Sequence, residues 1–259
     1  MEQFDLTKWY LDCVSERGDV FIGYSAELRW RTVHVHYASS LVVQDAGKPV
    51  ERFSLRNAGK PVVHGDLLEW RCAPLKLRGA WRAIDEPLRA TVYESAAGRV
   101  EWRCFQPRAR AEIDAGEAIH GLGYAECLML SLPPWRMPIR ELHWGRFLSE
   151  TDTVVWIDWR GEYSRQLVFW NGLPVLSSAI SDSELVLQDE TTLSLRGKAS
   201  LREGQLGGAL ARIPGLGRLA PTRVLRVEEH KWRSRGVLRR PGSPEVSGWA
   251  IHEVVIWPC

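Results

Sequence analysis

The apolar residues of this chain recur at every second position over much of its length, and this period limits the possible folds more than any other feature. Near the start, Trp9, Leu11 and Cys13 occupy one face and alternate with Tyr10 and Asp12 on the other. Successive side chains of a β-strand point to opposite faces, so a period of two indicates strands. Short turns rich in Gly and Asp separate the runs, which is typical of antiparallel hairpins. The sequence therefore predicts an all-β protein.

The number of β-rich runs is larger than one small barrel can hold. We count about 14 to 18 of them, whereas a small barrel closes with about eight strands. The sequence therefore predicts two antiparallel β-barrel or sandwich domains, residues 1–116 and 117–259, divided at the turn formed by residues 114–117. Little helix is expected. The main helix candidate, residues 204–212, contains three glycines and ends before Pro214, so it would be short.

The composition excludes several classes of protein. Of 259 residues, 45% are hydrophobic and 25% are charged, with a net charge of +2. These are globular values and exclude a disordered chain. A near-neutral charge gives no electrostatic basis for binding nucleic acid. There is no run of about 18 apolar residues to form an integral membrane segment, and the N-terminal residues lack the pattern of a signal peptide, so we expect a cytoplasmic protein.

The residues predict neither a metal nor an organic cofactor. The five cysteines are widely spaced and form no C-x-x-C pair, so we expect reduced, buried thiols. His34 and His36 share one face of a predicted strand, and such a pair can ligate zinc, but the sequence identifies no third ligand. The chain contains no phosphate-binding loop, dinucleotide fingerprint or nucleophile elbow.

Six short motifs occur in an order that is informative as a set. They are WYLD at 9–12, WRCFQPRARAEI at 102–113, GLGY at 121–124, PPW at 133–135, LHWGRF at 142–147 and TVVWID at 153–158. This series resembles the hydroxyneurosporene synthase family, the carotenoid 1,2-hydratases. The resemblance extends from about residue 9 to residue 172, and the last third of the chain carries no matching motif.

The resemblance implies a fold of two lipocalin-like β-barrels, an apolar ligand cavity, and catalysis without a metal or an organic cofactor. The wider superfamily includes cofactor-free cyclases and Diels–Alderases, so the fold alone does not determine the reaction. In the family pattern an acidic residue follows a Gly-Tyr pair by two positions, within a polar, turn-like stretch. The acid at that position here is Glu126, and the residues around it are apolar and strand-like.

A carboxyl group on an apolar strand face is the first candidate for a proton donor. Hydration or cyclisation of an alkene without a cofactor requires a strong acid in a dry pocket, and aromatic faces that stabilise a carbocation. Glu126 shares its predicted face with Tyr124, Leu128 and Leu130. The alternative is that this face is exposed, or that Glu126 pairs with an arginine such as Arg140 or Arg146.

Asp158 is the second candidate, because Asp is uncommon in strands and this one shares a face with Trp156 and Arg160. The alternative is a structural ion pair or the end of a strand. Two carboxylates on neighbouring strands could divide the roles of acid and base. Glu141 and His143 also share a face, where they could relay protons or form a solvated edge.

Tryptophans occur on predicted strands of both halves, and the chain contains 13 of them. Their usual role is core packing, because each ring buries a large apolar area. Contact with a ligand is the functional alternative. The candidates for ligand contact are Trp102, Trp135, Trp144, Trp156 and Trp159.

The sequence favours a cofactor-free enzyme that binds an apolar polyene, isoprenoid or polyketide and promotes acid-assisted hydration or cyclisation. The catalytic candidates are Glu126, Asp158, Tyr124 and His143. Two alternatives are compatible with the same residues: a non-catalytic carrier of a hydrophobic small molecule, or a second half that encloses no cavity and only caps the first. A buried carboxyl group without an ionic partner would favour the enzyme, and salt-bridged acids would favour the carrier.

Overall fold

The computed structural model describes residues 4–44, 47–57, 59–205 and 225–258, and it is all β. Two antiparallel sheets lie in separate compact units, one ending at Pro133 and the other beginning at Pro134. The prediction of two barrel-like, antiparallel β-domains is confirmed. The division expected between residues 116 and 117 coincides with a turn between two paired strands of the first unit.

The described residues of the first unit form ten strands. They are β1 (Phe4–Val14), β2 (Val20–Trp30), β3 (Val33–Val43), β4 (Val50–Ser54), β5 (Val62–His64), β6 (Leu67–Cys72), β7 (Leu77–Ala83), β8 (Leu88–Ser95), β9 (Gly98–Asp114) and β10 (Ala118–Leu130). Their order in the sheet is β4-β3-β2-β1-β10-β9-β7-β6-β5, and β8 pairs with β9 beside this row. The first strand therefore pairs with the last one of the unit, so residues distant in sequence become neighbours.

The second unit forms nine strands in its described residues, and its first and last strands are again neighbours. The nine strands are β11 (Ile139–Leu148), β12 (Thr153–Gly161), β13 (Arg165–Trp170), β14 (Leu173–Pro174), β15 (Ser177–Ile180), β16 (Glu184–Leu187), β17 (Thr192–Gln205), β18 (Glu228–Arg239) and β19 (Val246–Ile256). Their order is β14-β13-β12-β11-β19-β18-β17-β16-β15. Here too the first strand of the unit, β11, pairs with the last, β19.

The alternation of the sequence determines which face of each strand is buried. In β9, Trp102 and Cys104 are buried whereas Arg103 between them is exposed. This is the pattern expected of a strand with one face on a packed layer. Each unit has its own apolar cluster. The first is centred on residues such as Leu11, Phe21, Trp70 and Trp81, and the second on residues such as Phe147, Trp156, Leu185 and Leu193.

Helical structure is sparse in the described residues. Single 3-10 turns occur at Ala73–Leu75 and at Pro134–Arg136. Of the helix predicted over residues 204–212, Gly204 and Gln205 end strand β17, and the other residues lie outside the described part of the chain. Within that described part, no helix has the length and apolar character to cross a bilayer.

Candidate active site

Seven side chains of the first unit lie on one face of four neighbouring strands, β2, β1, β10 and β9. Residues directly opposite each other in a ladder point to the same face. Glu126 lies opposite Tyr10 on β1 and opposite Cys104 on β9. Asp12 on β1 lies opposite Tyr124 on β10. We call this set the carboxylate face; it consists of Tyr10, Asp12, Tyr24, Trp102, Cys104, Tyr124 and Glu126.

Glu126 receives two strong hydrogen bonds on a single oxygen. The indole Nε1 of Trp102 donates to Glu126 Oε2 at 2.5 Å, and the hydroxyl of Tyr124 donates to the same atom at 2.6 Å. Trp102 and Tyr124 are fully buried, while Glu126 is half-buried. The carboxyl group is therefore held in one orientation by two buried aromatic side chains.

The convergence on Oε2 gives the two carboxyl oxygens of Glu126 different roles. When the group is protonated, Oε2 is the oxygen that accepts both bonds, and Oε1 is the one suited to carry the proton. Donors aimed at Oε2 stabilise the negative charge that remains on the carboxylate after the proton leaves. After the transfer, the same carboxylate can act as a base.

Asp12 is a second carboxyl group on the same face, on the strand next to Glu126. Its side chain is completely buried, and the hydroxyl of Tyr10 donates to Asp12 Oδ2 at 2.9 Å. In the sequence, Asp12 was recognised as an alternating strand residue and as part of the WYLD motif, but not as a catalytic candidate. The signal was present, since an Asp within the apolar run of β1 is unusual for a strand, but its proximity to Glu126 depends on the β1–β10 pairing.

Two neighbours of the carboxyl groups, Tyr124 and Cys104, are protonated at physiological pH. Burial, together with the charge of Glu126, raises the pKa of the Tyr124 hydroxyl well above its ordinary value. Burial raises the pKa of the Cys104 thiol in the same way, and the nearby Glu126 and Asp12 charges add to the effect. Tyr124 therefore acts as a hydrogen-bond donor at physiological pH, and Cys104 is a neutral thiol.

Aromatic rings border the carboxyl groups and can stabilise positive charge. The rings of Tyr10 and Tyr24 meet edge to face with centroids 5.4 Å apart, and Tyr124 lies 6.1 Å from Tyr10. The Lys8 ammonium group lies 5.1 Å from the centroid of Tyr24. This contact shows that the ring face of Tyr24 is oriented to accept a cation.

The second unit brings Asp158 and His143 together on neighbouring strands, opposite each other in the ladder of β11 and β12. Asp158 forms an ion pair with Arg160, whose Nη2 lies 2.7 Å from Asp158 Oδ2, and Arg160 Nε donates to the same oxygen at 2.8 Å. Arg160 Nη2 also donates to the carbonyl of Ile180 at 2.5 Å. The negative charge of Asp158 is thus balanced by the guanidinium group of Arg160.

His143 has two partners on one ring nitrogen. Its Nε2 lies 2.6 Å from Glu141 Oε1 and 2.9 Å from Arg160 Nη1. Arginine can only donate, so Nε2 accepts from Arg160 when it carries no proton and donates to Glu141 when it does. Glu126 and Asp158 belong to different units, and each is surrounded by its own set of partners.

An open cleft of about 530 Å³ adjoins Asp158 and Arg160. Most of the nine residues that line it are polar or charged; they are Asp158, Trp159, Arg160, Ser164, Arg165, Gln166, Ser178, Ala179 and Ile180. Such a lining suits a polar molecule and not a polyene. The carboxylate face of the first unit matches the expected apolar, aromatic surroundings more closely.

The five tryptophans selected as ligand contacts lie in different surroundings. Trp102 is part of the carboxylate face. Trp156 belongs to the apolar core of the second unit, and Trp159 adjoins the polar cleft. Trp144 is buried on β11, and Trp135 is half-buried in the 3-10 turn before that strand. The indole of Trp102 donates a hydrogen bond to Glu126, a candidate catalytic residue.

One cluster in the described residues has ligand types suited to a metal ion: Glu27, His34 and His36. The sequence analysis identified the two histidines but no third ligand. Glu27 precedes His34 by seven residues on the other strand of a hairpin, and no spacing rule for a single strand would select it.

Comparison with protein-family models and with curated proteins finds no match. Comparison with solved structures does find similar folds. CghA has a TM-score of 0.61 at 10% identity, with 98% of this chain and 88% of CghA covered. CghA with Sch210972 gives a TM-score of 0.59 with the same identity and coverage.

Kievitone hydratase from Nectria haematococca is also similar, with a TM-score of 0.53 at 9% identity over 97% of this chain and 88% of the hydratase. An AttH-type protein from Nitrosomonas europaea gives 0.50 at 10% identity over 96% of this chain and 92% of its own. At this identity the likeness concerns the fold. The chain therefore has the lipocalin-like, two-domain β-fold that is also found in CghA and kievitone hydratase.

Proposed function

We propose that this chain is a cofactor-free enzyme that promotes acid-assisted hydration or cyclisation of an apolar polyene, isoprenoid or polyketide, with Glu126 as the proton donor. The observation that carries the proposal is the convergence of Trp102 Nε1 and Tyr124 OH on Glu126 Oε2. Kievitone hydratase, a hydratase by name, has a similar fold. CghA also has a similar fold, and its crystal structure has been determined with Sch210972.

In the proposed reaction, Glu126 transfers the proton on Oε1 to one carbon of a substrate double bond, and the positive charge develops on the adjacent carbon. The ring of Tyr10, which lies opposite Glu126 in the ladder of β1 and β10, stabilises that charge by cation–π attraction. Either water or a second double bond of the substrate then attacks the cation. The Glu126 carboxylate recovers a proton from the bound water, or from a carbon next to the cyclised centre, and the enzyme is regenerated.

Asp12 and Tyr10 would support this chemistry from the next strand. Asp12 holds the Tyr10 hydroxyl at 2.9 Å and so orients its ring towards Tyr24 and Tyr124. The second unit contributes less to this proposal. Asp158 is engaged in an ion pair with Arg160, and the cleft beside it is lined mostly by polar and charged residues.

The test is proton transfer to carbon, which both reactions share. We would incubate the protein in D₂O with lycopene, geranylgeraniol and a linear polyene, and measure deuterium incorporation by mass spectrometry. The wild-type protein should label at least one of these compounds. Glu126→Gln should reduce labelling at least about a hundredfold, because removing a general acid typically costs a factor of 10² to 10⁴.

The matched control is Glu112→Gln, an exposed carboxyl on strand β9, which should leave labelling unchanged. Thermal unfolding and quenching of tryptophan fluorescence by the same compounds should be nearly equal in both variants and in the wild type. Equal labelling by wild type and Glu126→Gln would reject the proposal. Quenching by these compounds without any deuterium incorporation would show instead a carrier of hydrophobic molecules.

A further inference from the structure

The hairpin of β2 and β3 places three ligand-type side chains on one face at its turn end. Glu27 on β2 lies directly opposite His36 on β3, and Arg29 lies opposite His34. Residues two apart on a strand share a face, so Glu27, His34 and His36 all point the same way. The backbone ladder of the hairpin positions these three groups. They lie on the opposite face of the hairpin from Tyr24, which belongs to the carboxylate face.

The ligand atoms are already close together. Glu27 Oε1 lies 2.8 Å from His34 Nε2, and the two imidazole rings have centroids 4.6 Å apart at an angle of 53°. One ligand atom from each of the three residues lies within 4.8 Å of the others. We propose that Glu27, His34 and His36 form a binding site for a divalent transition-metal ion of the Zn²⁺ class.

The donor set agrees with the coordination chemistry of zinc. Two imidazole nitrogens and a carboxylate oxygen, with a water as fourth ligand, make an open tetrahedral site. Bond lengths of about 2.0–2.2 Å put tetrahedral ligand atoms roughly 3.4 Å apart, so a spacing of up to 4.8 Å would have to shrink by about an ångström. His34 and Glu27 have side chains that are 49% and 33% exposed, so they have room for this movement.

Arg29 already binds the Glu27 carboxylate and would compete with a metal ion for it. Its Nη2 lies 2.7 Å from Glu27 Oε1, and its Nε donates to that atom at 3.0 Å. The same oxygen of Glu27 is also 2.8 Å from His34 Nε2, so Arg29 and His34 share it. A bound cation would have to displace the guanidinium group, which is mostly exposed and can turn into water. Removing Arg29 should therefore strengthen metal binding.

The experiment uses the full chain with Cys259→Ser, stripped of metal with a chelator and titrated with Zn²⁺ against a chromophoric competitor. We expect one ion per chain. His34→Ala and His36→Ala should each weaken binding about tenfold or more, and Glu27→Gln by a similar factor. Arg29→Ala should tighten binding severalfold. The matched controls His64→Ala and His120→Ala, two exposed histidines of the same unit, should have no effect.

Cobalt provides a second readout that identifies the ligands. Co²⁺ at a site of two histidines and a carboxylate should give visible bands without the near-ultraviolet charge transfer of a thiolate ligand. A thiolate band, a stoichiometry below one ion per chain, or equal affinities in the wild type and His34→Ala would each overturn the proposal. The result does not depend on the proposed enzyme activity, because binding is measured without substrate.

Discussion

Two acidic residues that appear equivalent in the sequence have different chemical environments in the structure. Glu126 accepts hydrogen bonds from two neutral groups, Trp102 and Tyr124. Asp158 accepts its bonds from the guanidinium group of Arg160. A neutral donor tunes the acidity of a carboxyl group, while a fixed cation holds it ionised. The identity of the partner, which neither residue reveals by itself, separates a candidate acid from a structural ion pair.

For individual residues, the sequence predicted which side chains share a strand face, but it did not predict their hydrogen-bonding partners. It placed Tyr124 and Glu126 on one face, and their hydrogen bond at 2.6 Å agrees with that. It also placed Glu141 and His143 together, and they are 2.6 Å apart. It did not select Asp12, because the contact between β1 and β10 joins residues more than a hundred positions apart. Alternation along one strand contains no information about such a neighbour.

A buried histidine should make stability depend on pH. Burial and the nearby charge of Lys198 lower the pKa of His252 from 6.5 to about 3, with Asp182 opposing and His143 adding to the shift. Between these values the unfolded chain binds a proton that the folded chain does not, so stability falls as the pH drops from about 6.5 towards 3. The loss is at most about 1.4 kcal/mol per pH unit.

Urea unfolding of the wild type and of His252→Gln, measured between pH 7 and pH 4, checks this expectation. The variant removes the titrating group and keeps a polar atom near the hydroxyl of Ser234, which lies 2.9 Å from His252 Nε2. Its stability should decline less steeply with falling pH. Parallel curves for the two proteins would show that His252 is not the group responsible.

At the scale of strands, glycines provide the space that the large rings need. Gly145 on β11 lies opposite Trp156 on β12 and opposite His252 on β19. A Cβ at Gly145 would overlap the Trp156 ring and would also crowd the Cβ of His252. Gly123 serves Trp81 in the same way in the first unit. Glycine is usually unfavourable inside a strand, but at Gly145 and Gly123 it leaves the space that a tryptophan ring occupies.

Gly145→Ala should destabilise the protein by about 1–3 kcal/mol, because overpacking forces ring and backbone to shift. Chemical unfolding monitored by circular dichroism measures the loss. Trp156→Leu in the same chain should recover part of it, since the smaller side chain vacates the space above Gly145. If the double variant loses the sum of the two single losses, the close contact between ring and glycine is not the cause.

Which segments are strands was predictable, and how they pair was only partly so. Hairpins such as β2–β3 follow from short turns between alternating runs. The motif Glu-Trp-Arg-Cys occurs twice in the sequence, at 69–72 and at 101–104. Both copies lie in strands, β6 and β9. The pairing of Glu27 with His36 also follows from a hairpin register that the sequence does not fix to a single residue. This is why Glu27, the third residue of the proposed metal site, was missed.

On the scale of the whole molecule, the described cysteines all lie in the first unit. Cys13, Cys72, Cys104 and Cys127 are buried and not disulfide-bonded, as the spacing had predicted. Burial raises the pKa of the Cys72 thiol, raises that of Cys127 to about 12, and raises that of Cys104 well above its ordinary value. Because the reactive form of a thiol is the thiolate, these groups should be inert in the folded chain.

In a Cys259→Ser background, a thiol-specific chromogenic reagent should therefore label no cysteine of the native protein within minutes. Four thiols should react after unfolding in urea, and their appearance should follow the loss of structure in the first unit. Absorbance of the released chromophore, recorded beside circular dichroism, gives both signals. A thiol that reacts rapidly without urea would show that the first unit is more open than its burial indicates.

Each unit joins its first strand to its last, as in the pairs Trp9 with Cys127 and Trp144 with Glu253. During synthesis on the ribosome, β1 must therefore wait until more than a hundred further residues have emerged before its second neighbour exists. At about 5–20 residues per second, this delay lasts several seconds. Throughout that interval Asp12 and the aromatic side chains of β1 have no β10 beside them. The nascent chain would thus leave the β1 side of the carboxylate face uncovered during this interval, and chaperone binding to the growing chain should include β1.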